Sequence, residues 1–499
     1  MIVKNISAMS LGKTYAPLSW LITITVILSI ALTLIVFSVS NIEKLPIQQQ
    51  LQYRNQALTT TAIIFLGLGV MANAYYAAKR VQAMQKNAIA SERNLEIGLQ
   101  NTKLSQDRLI AERFIGAIAQ IGHEKVETRT GAIYALERVA QDFPQEHWTI
   151  MEILTAFVRE NAPVSREGKP HQKQKDLAAI DLDKHRQRVS RQQQSDLNLQ
   201  PELPKLRTDI QIALTVIGRR NFEKDRKDQK LDLRNTDIRQ ANLRGANLQR
   251  VDLRGSDLCG VDLRESDLRE ADLDGAKLTG SILFEANLFK ASLRGANLSW
   301  ANLNRANLCG ANLRAANFFG ASLRSASLQG ANLYKANLQQ ATLKAASLAG
   351  AKLFLANLQG AKLGKANLHL AGLIGANLQG ANLNGANLQG ANLNAAKLQQ
   401  TDIYFADLSE ASLTEANLQG ANLMGANLHR AILQEANLEG ANLMGANLCG
   451  AILSDVKLTG TILTGVKNLD YQQIRMAFGD RTTRLPDYIE APTHWRQSG

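Results

Sequence analysis

"GANLQGANLNGANLQGANLN", residues 375–394, says one five-residue phrase four times. A helix places apolar residues every three or four positions and a strand every second, so a period of five is neither. The period runs far beyond the quotation. From Leu233 through Leu463 every fifth residue is Leu, apart from Ile238, Phe318 and Ile403, in 47 consecutive repeats with no insertion or deletion. Two residues before each stands a small residue, mostly Ala, otherwise Ser, Thr or Val; Leu231, at the entry, is the bulky exception. Solvated low-complexity sequence gives no reason to hold one bulky position in phase over so long a run, whereas burial does.

Within each phrase the small residue and the Leu lie two apart, so extended backbone turns both to one side and the intervening Asn or Asp outward. The last two positions, often ending in Gly, suit a turn, because Gly takes positive φ at little steric cost. Extended pairs alternating with turns wind the chain into a narrow, filled coil, each Leu adding roughly 2 kcal/mol of burial before any entropy cost. Over residues 231–463 the sequence resembles the pentapeptide-repeat family, whose pattern is close to A(N/D)LxG. The resemblance implies a β-solenoid, a right-handed quadrilateral β-helix with one pentapeptide per side and four per coil. The quoted stretch is then one coil, and 47 sides make nearly twelve coils, or about 55 Å of rod at the usual strand spacing.

Four sides per coil put residues twenty apart in columns. One column runs Arg234, Arg254, Asp274, Arg294, Arg314 and then Tyr334, Phe354, Ile374, with Leu355 adjoining and Leu370 on the neighbouring side. Contiguous exposed apolar residues mark partner sites, so Tyr334, Phe354, Leu355, Leu370 and Ile374 form a first candidate patch. Tyr404, Phe405, Met424 and Met444 form a second. Gln339, Gln359, Gln379, Gln399 and Gln419 share a column, which predicts a stacked amide ladder. The arginines alternate with Asp232, Asp252 and Asp272, which predicts mutual neutralisation rather than phosphate binding. Cys309 and Cys449 lie seven coils apart on one side and Cys259 on the opposite one, so none can meet the roughly 7 Å reach of a disulfide.

Before the repeats the chain changes character several times. Leu18 to Ser40 carries no charge and is long enough for a bilayer core; Ala57 to Ala78 is a second uncharged stretch, weakened by three threonines and Asn73. Both read as membrane helices (18–40 and 57–78), joined by a short external loop (41–56) and preceded by a tail (1–17). Lys4 and Lys13 before the first, and Lys79, Arg80 and Lys86 after the second, place both ends in the cytoplasm of a bacterial inner or thylakoid membrane. Residues 79–162 read as a helical juxtamembrane region: a long imperfectly amphipathic helix to about Ile121, offering a surface for self-association, then helices at 129–140 and 147–161 whose apolar faces pack together. Residues 163–205 are polar and basic, a solvated linker. Residues 206–230 hold a helix (208–221) with Asp209 as its cap, closing the entrance of the coil. At the exit, 464–499, Asp470 caps a helix with Gln473 three residues on and Gly479 as its stop, and "LPDYIEAPTHW" covers the end.

Composition narrows the function. The net charge is +13, but residues 231–463 contribute only 21 basic against 18 acidic side chains, so no nucleic acid partner is expected. No nucleophile elbow, phosphate loop, acid–base pair or metal-ligand spacing occurs, and His369 and His429 stand three coils apart; an enzyme, a cofactor and a metal are not expected. The leading expectation is a membrane-tethered scaffold that presents a rigid rod to an unknown protein, with a bilayer engaged by residues 18–78. Two others compete. Family members that mimic DNA and bind gyrase are strongly acidic, unlike this rod; an accessory role in envelope or membrane-lipid organisation is the third.

Overall fold

The computed structural model describes residues 18–38, 42–164, 206–226 and 228–497. The tail at 1–17 and the basic linker beyond Val164 lie outside the described residues. The chain divides into two compact units, Met1–Leu109 and Ile110–Gly499.

In the first unit, α1 (Leu18–Ser38) is followed by a 3-10 turn at Ile42–Lys44 and by α2 (Ile47–Ile121), a helix of 75 residues whose last turns belong to the second unit. Pro46 stands just ahead of α2, where its fixed φ and missing N–H suit a helix start. Residues 47–56, expected in the connecting loop, are therefore helix. "IQQQLQYRNQ" is polar but holds no breaker, and Gln, Leu and Arg are sound helix formers. A window of α2 is long and apolar enough, by length and composition, to cross a membrane. The threonines that weaken this stretch on paper bond back into the helix: Thr59, Thr60 and Thr61 donate their hydroxyls to the carbonyls of Asn55, Gln56 and Ala57. Polar groups satisfied in this way do not oppose an apolar surrounding.

The second unit begins as a helical block. α3 (Val126–Asp142) and α4 (His147–Asn161) bury Ile133, Leu136, Val139 and Ile150, Leu154, Phe157 against α5 (Thr208–Gly218). Asp209 does not cap α5. Arg207 holds the cap position, and Asp209 lies two residues further on, within the first turn, fully buried, bonded to Arg129 of α3 at 2.6 Å and to Arg207 at 2.6 Å. Burial opposes its charge, yet the hydrogen bonds of Arg207 and then Arg129 prevail and hold its pKa below the usual carboxylate value. A second buried group ties α4 to the chain after α5: Asp225 meets His147 at 3.3 Å and Arg220 at 2.8 Å.

From Leu231 the chain is a solenoid. Parallel bridges pair residues twenty apart, from Asp232 with Asp252 to Asn447 with Lys467. Each rung therefore has four sides, here numbered 1 to 4 from residues 231–235, 236–240, 241–245 and 246–250. The Leu and the small residue before it are buried along the whole length, with Phe318 taking one Leu position at 0% exposure.

The fate of the backbone amides explains the consensus. In each pentapeptide the small residue's N–H closes the preceding turn (Ala301 to Leu298 O), and the next N–H bonds to the previous rung (Asn302 to Ser281 O). The Leu and fifth-residue amides bond to the following rung (Leu303 to Ser322 O, Arg305 to Arg324 O). The fourth N–H has no backbone acceptor, and a buried amide cannot be left bare. The Asn or Asp two residues earlier accepts it, as Asn317 Oδ1 does from Phe319 at 3.2 Å and Asn357 Oδ1 from Gln359 at 3.2 Å. At some rungs where Ser replaces that Asn, an Asn or Asp on the previous rung stands in. This holds at three of the Ser positions: Asn304 Oδ1 accepts both the Arg324 N–H at 2.8 Å and the Ser322 hydroxyl at 2.6 Å, Asp274 does the same for Arg294 and Ser292, and Asn394 for Thr414 and Ser412.

Every fifth position from 235 to 465 has positive φ, near +52° to +71°. Gly holds fewer than half of these; Ala315, Ala345, Lys335 and Leu355 are among the others. The rung geometry thus imposes a left-handed residue, and Gly only relieves its cost.

Open rungs invite further strands, and each end is closed by a different device. At the entrance, Asp237 N–H bonds to Ala162 O at 2.7 Å and Val164 N–H to Asn235 O at 2.8 Å. The Gln211 side-chain amide pairs with both the N–H and the carbonyl of Asn242, at 2.8 Å each, imitating a peptide. Gly218, at the end of α5, accepts from Asn247. At the exit, α6 (Tyr471–Ile474) carries a capping box of Asp470 and Gln473. Gly479 does not stop it, since α6 ends at Ile474, five residues before; Gly479 instead lies against the buried Trp495 ring, where a Cβ would come within 2.6 Å. Phe478 and Arg484 then pair with Lys457 and Ile462, extending the sheet beyond the last repeat.

Candidate partner-binding surfaces

The first candidate patch occupies side 1. Tyr334, Phe354 and Ile374 follow at intervals of one rung in the column after the Leu, and Leu355 stands at the corner beside Phe354. Leu370, at the corner where side 4 passes into side 1, is 62% exposed and Leu355 is 52% exposed. Tyr334 and Phe354 are half-buried. Arg314 lies 5.3 Å and Lys335 5.2 Å from the Tyr334 ring centre, so this end of the patch is positively dressed. The second patch lies on side 3. The Tyr404 and Phe405 rings are 4.2 Å apart, Met424 is half-buried, and Phe405 and Met444 are exposed.

A steric rule governs several of these side chains. A large apolar residue at the positive-φ corner lies over the corner of the next rung, which is then Gly. Leu355 covers Gly375, where an added Cβ would meet Leu355 Cδ2 at 2.8 Å; Leu370 covers Gly390 at 2.9 Å, and Phe405 covers Gly425. The same rule exposes a group that sequence reasoning missed. Trp300, 64% exposed, lies over Gly320 with Cε3 2.6 Å from a Cβ placed there, and Phe319 stacks edge-on to it at 5.4 Å. The signal was a bulky corner residue followed twenty positions later by Gly.

The glutamine ladder does not form as a bonded column. Only Gln339 and Gln359 approach, at 3.5 Å. Gln stands in the turn on a stem one methylene longer than that of the bridging Asn, so holding a column would cost more side-chain entropy. The amide ladder on side 2 runs instead through the bridging asparagines, with Asn317 donating to Asn297 at 3.0 Å, Asn337 to Asn317 at 2.9 Å and Asn377 to Asn357 at 3.2 Å. Arginine and aspartate do pair near the entrance: Arg234 with Asp232 at 2.8 Å, Arg254 with Asp252 at 2.6 Å, Arg264 with Asp262 at 2.5 Å. Arg159 of α4 also reaches Asp232, whose pKa falls to about 2, first through the Arg234 hydrogen bond. The three cysteines are free, and burial pushes the Cys259 thiol up to about 11. Among the described residues no group of three His, Cys, Asp or Glu is placed to hold a metal.

Comparison with known proteins bears on the solenoid. The family model "Pentapeptide repeats" matches in eight copies between residues 229 and 465. HetL, a pentapeptide repeat protein involved in heterocyst differentiation regulation from the cyanobacterium Nostoc sp. strain PCC 7120, is 38% identical over 44% of this chain and 90% of its own, with a TM-score of 0.17. The pentapeptide repeat protein alr5209 from Nostoc PCC 7120 is 32% identical over 26% of this chain and 77% of its own, with a TM-score of 0.15. Rfr23, from the cyanobacterium Cyanothece 51142, is 37% identical over 23% of this chain and 63% of its own, with a TM-score of 0.11. Among curated proteins none matches. Sequence identity across nine-tenths of HetL, together with the repeated family match, makes the chain a member of the pentapeptide-repeat family.

Proposed function

We propose that this protein is a non-enzymatic, membrane-tethered scaffold whose solenoid offers side 1 to a protein partner. The observation that carries the proposal is the group Tyr334, Phe354, Leu355, Leu370 and Ile374, aliphatic and aromatic side chains left at the surface of a solenoid whose rungs are already bonded to one another. Such a surface needs neither reshaping nor ordering to bind, which lowers the entropic cost of association. The rod is a right-handed β-helix of nearly twelve coils. The tether is a hairpin of α1 and the apolar part of α2, multi-pass, with both ends on the cytoplasmic side; the apolar window of α2 supports it. Residues 231–463 carry 21 basic against 18 acidic side chains, a balance that disfavours a DNA-mimic surface.

Detergent-solubilised full-length protein tests the scaffold reading by affinity capture, with a variant carrying Tyr334→Ser, Phe354→Ser and Ile374→Ser as the comparison. These side chains lie outside the Leu core, so the variant should retain the wild-type circular dichroism, which is checked beside the capture. Loss of a specific captured protein in the variant supports side 1. An unchanged set of captured proteins sinks it, and recovery of gyrase by both forms would restore the DNA-mimic alternative.

A further inference from the structure

Charge is unevenly shared among the sides of the distal solenoid. Over residues 301–465, side 3 carries five cations, Arg305, Arg324, Lys344, Lys362 and Lys365, against one carboxylate, Asp402. The other three sides together carry six cations and six carboxylates. Arg305 pairs with Glu285 at 3.0 Å. The remaining four are exposed, and no acidic residue occurs in the sequence between Glu285 and Asp402 to meet them. They occupy three successive rungs, about 10 Å of rod. Ser325, Ala345 and Gly364 beside them are small, so the cations stand clear of a flat sheet face. Two rungs further along the same side come Tyr404 and Phe405, then Met424 and Met444.

We propose that side 3 docks onto an anionic phospholipid surface, its basic rungs on the headgroups and its Tyr–Phe–Met rungs at the acyl boundary. Lys and Arg combined with aromatic and long apolar side chains in one plane are the composition of an interfacial membrane surface. Anionic lipids attract clustered Lys and Arg without requiring matched partners for each. A single-stranded nucleic acid would call for rings among the cations, for stacking, whereas here rings and cations are separated by the rung of Asn382 and Asn384, and a duplex, held through its phosphates, would leave the Tyr–Phe–Met rungs without a role. A bilayer is flat, as a solenoid side is. Side 1 faces the other way and stays open to a protein. The inference rests on the tether reading only for what brings a bilayer within reach.

The test is residue-resolved amine acetylation of the full-length wild-type protein in nanodiscs, read by mass spectrometry. Discs of phosphatidylcholine alone are compared with discs holding about one-third phosphatidylglycerol. Lys344, Lys362 and Lys365 should be protected about fivefold or more in the anionic discs at about 0.1 M salt, and released at about 1 M, where the screening length falls to about 3 Å. Lys335 and Lys352 of side 1 should react alike in both. Equal rates for side 3 in the two lipids, or equal protection of side 1, overturns the proposal. Protection that arises only when an oligonucleotide or an acidic protein is added overturns it as well and names the partner class. Flotation with neutral vesicles at about 1 M salt reads the tether separately: a chain that fails to float lacks the tether, while protection by added anionic vesicles still decides side 3.

Discussion

Replacing Asn317 by Ala tests the link between consensus and amide accounting most directly. Asn317 Oδ1 accepts the Phe319 N–H at 3.2 Å and the Asn337 side-chain amide at 2.9 Å, while its own amide donates to Asn297 at 3.0 Å. Phe319 N–H has no other acceptor in the rung pattern. Leaving one part-buried donor bare costs about 1–3 kcal/mol. Because rungs couple chiefly to their neighbours, the loss stays local and is best read as amide exchange. Native-state hydrogen exchange at Phe319 should accelerate between about fivefold and a hundredfold, while Gln379, three rungs away, keeps its rate. Asn317→Asp retains the acceptor and removes only the donor facing Asn297, so it should recover much of the Phe319 protection. If Asn317→Ala leaves Phe319 exchange unchanged, water satisfies that amide and the consensus Asn needs another explanation.

Gly320→Ala meets two obstacles, a φ of +65° and the Trp300 ring 2.6 Å from the new Cβ, and should destabilise by about 1–3 kcal/mol. Thermal melting should show Trp300→Ala relieving part of that loss, and equal losses in both backgrounds would remove the steric share. Ala315→Gly, at φ +55°, should stabilise by up to about 1 kcal/mol in urea unfolding; any destabilisation contradicts the cost assigned to the left-handed corner. Asp232 has a folded pKa of about 2, depressed from 3.8, so its contribution is complete above about pH 4 and is lost as pH falls through about 2. Trp148 fluorescence in an acid titration should report loosening of α4 in that window, and Asp232→Asn should flatten the response.

How much of this was legible in the sequence follows from how each residue acts. Leu and Ala act by volume and periodicity, so the core and its register could be read from spacing alone. Asn317 acts by satisfying one amide, and that role becomes visible only when every N–H of the rung is assigned. Asp209 sits at a helix start and looks like a cap; Arg129, eighty residues away in sequence, draws it inward instead. The start of α2 was hidden because polarity resembles a loop although the residues favour helix. The two apolar patches could be placed by counting in twenties. Trp300 escaped because its meaning lies in Gly320.

The twenty-residue offset also makes chain length an angular coordinate. Adding one pentapeptide would preserve the Leu core, yet would turn everything beyond it by a quarter revolution. Tyr404 and Met444 would then leave the plane of Lys344 and Lys362 for an adjacent wall. Adding four would lengthen the column and restore every bearing. The uninterrupted phase of 47 repeats therefore keeps distant side chains aimed in a common direction, much as a keyed shaft holds its cams.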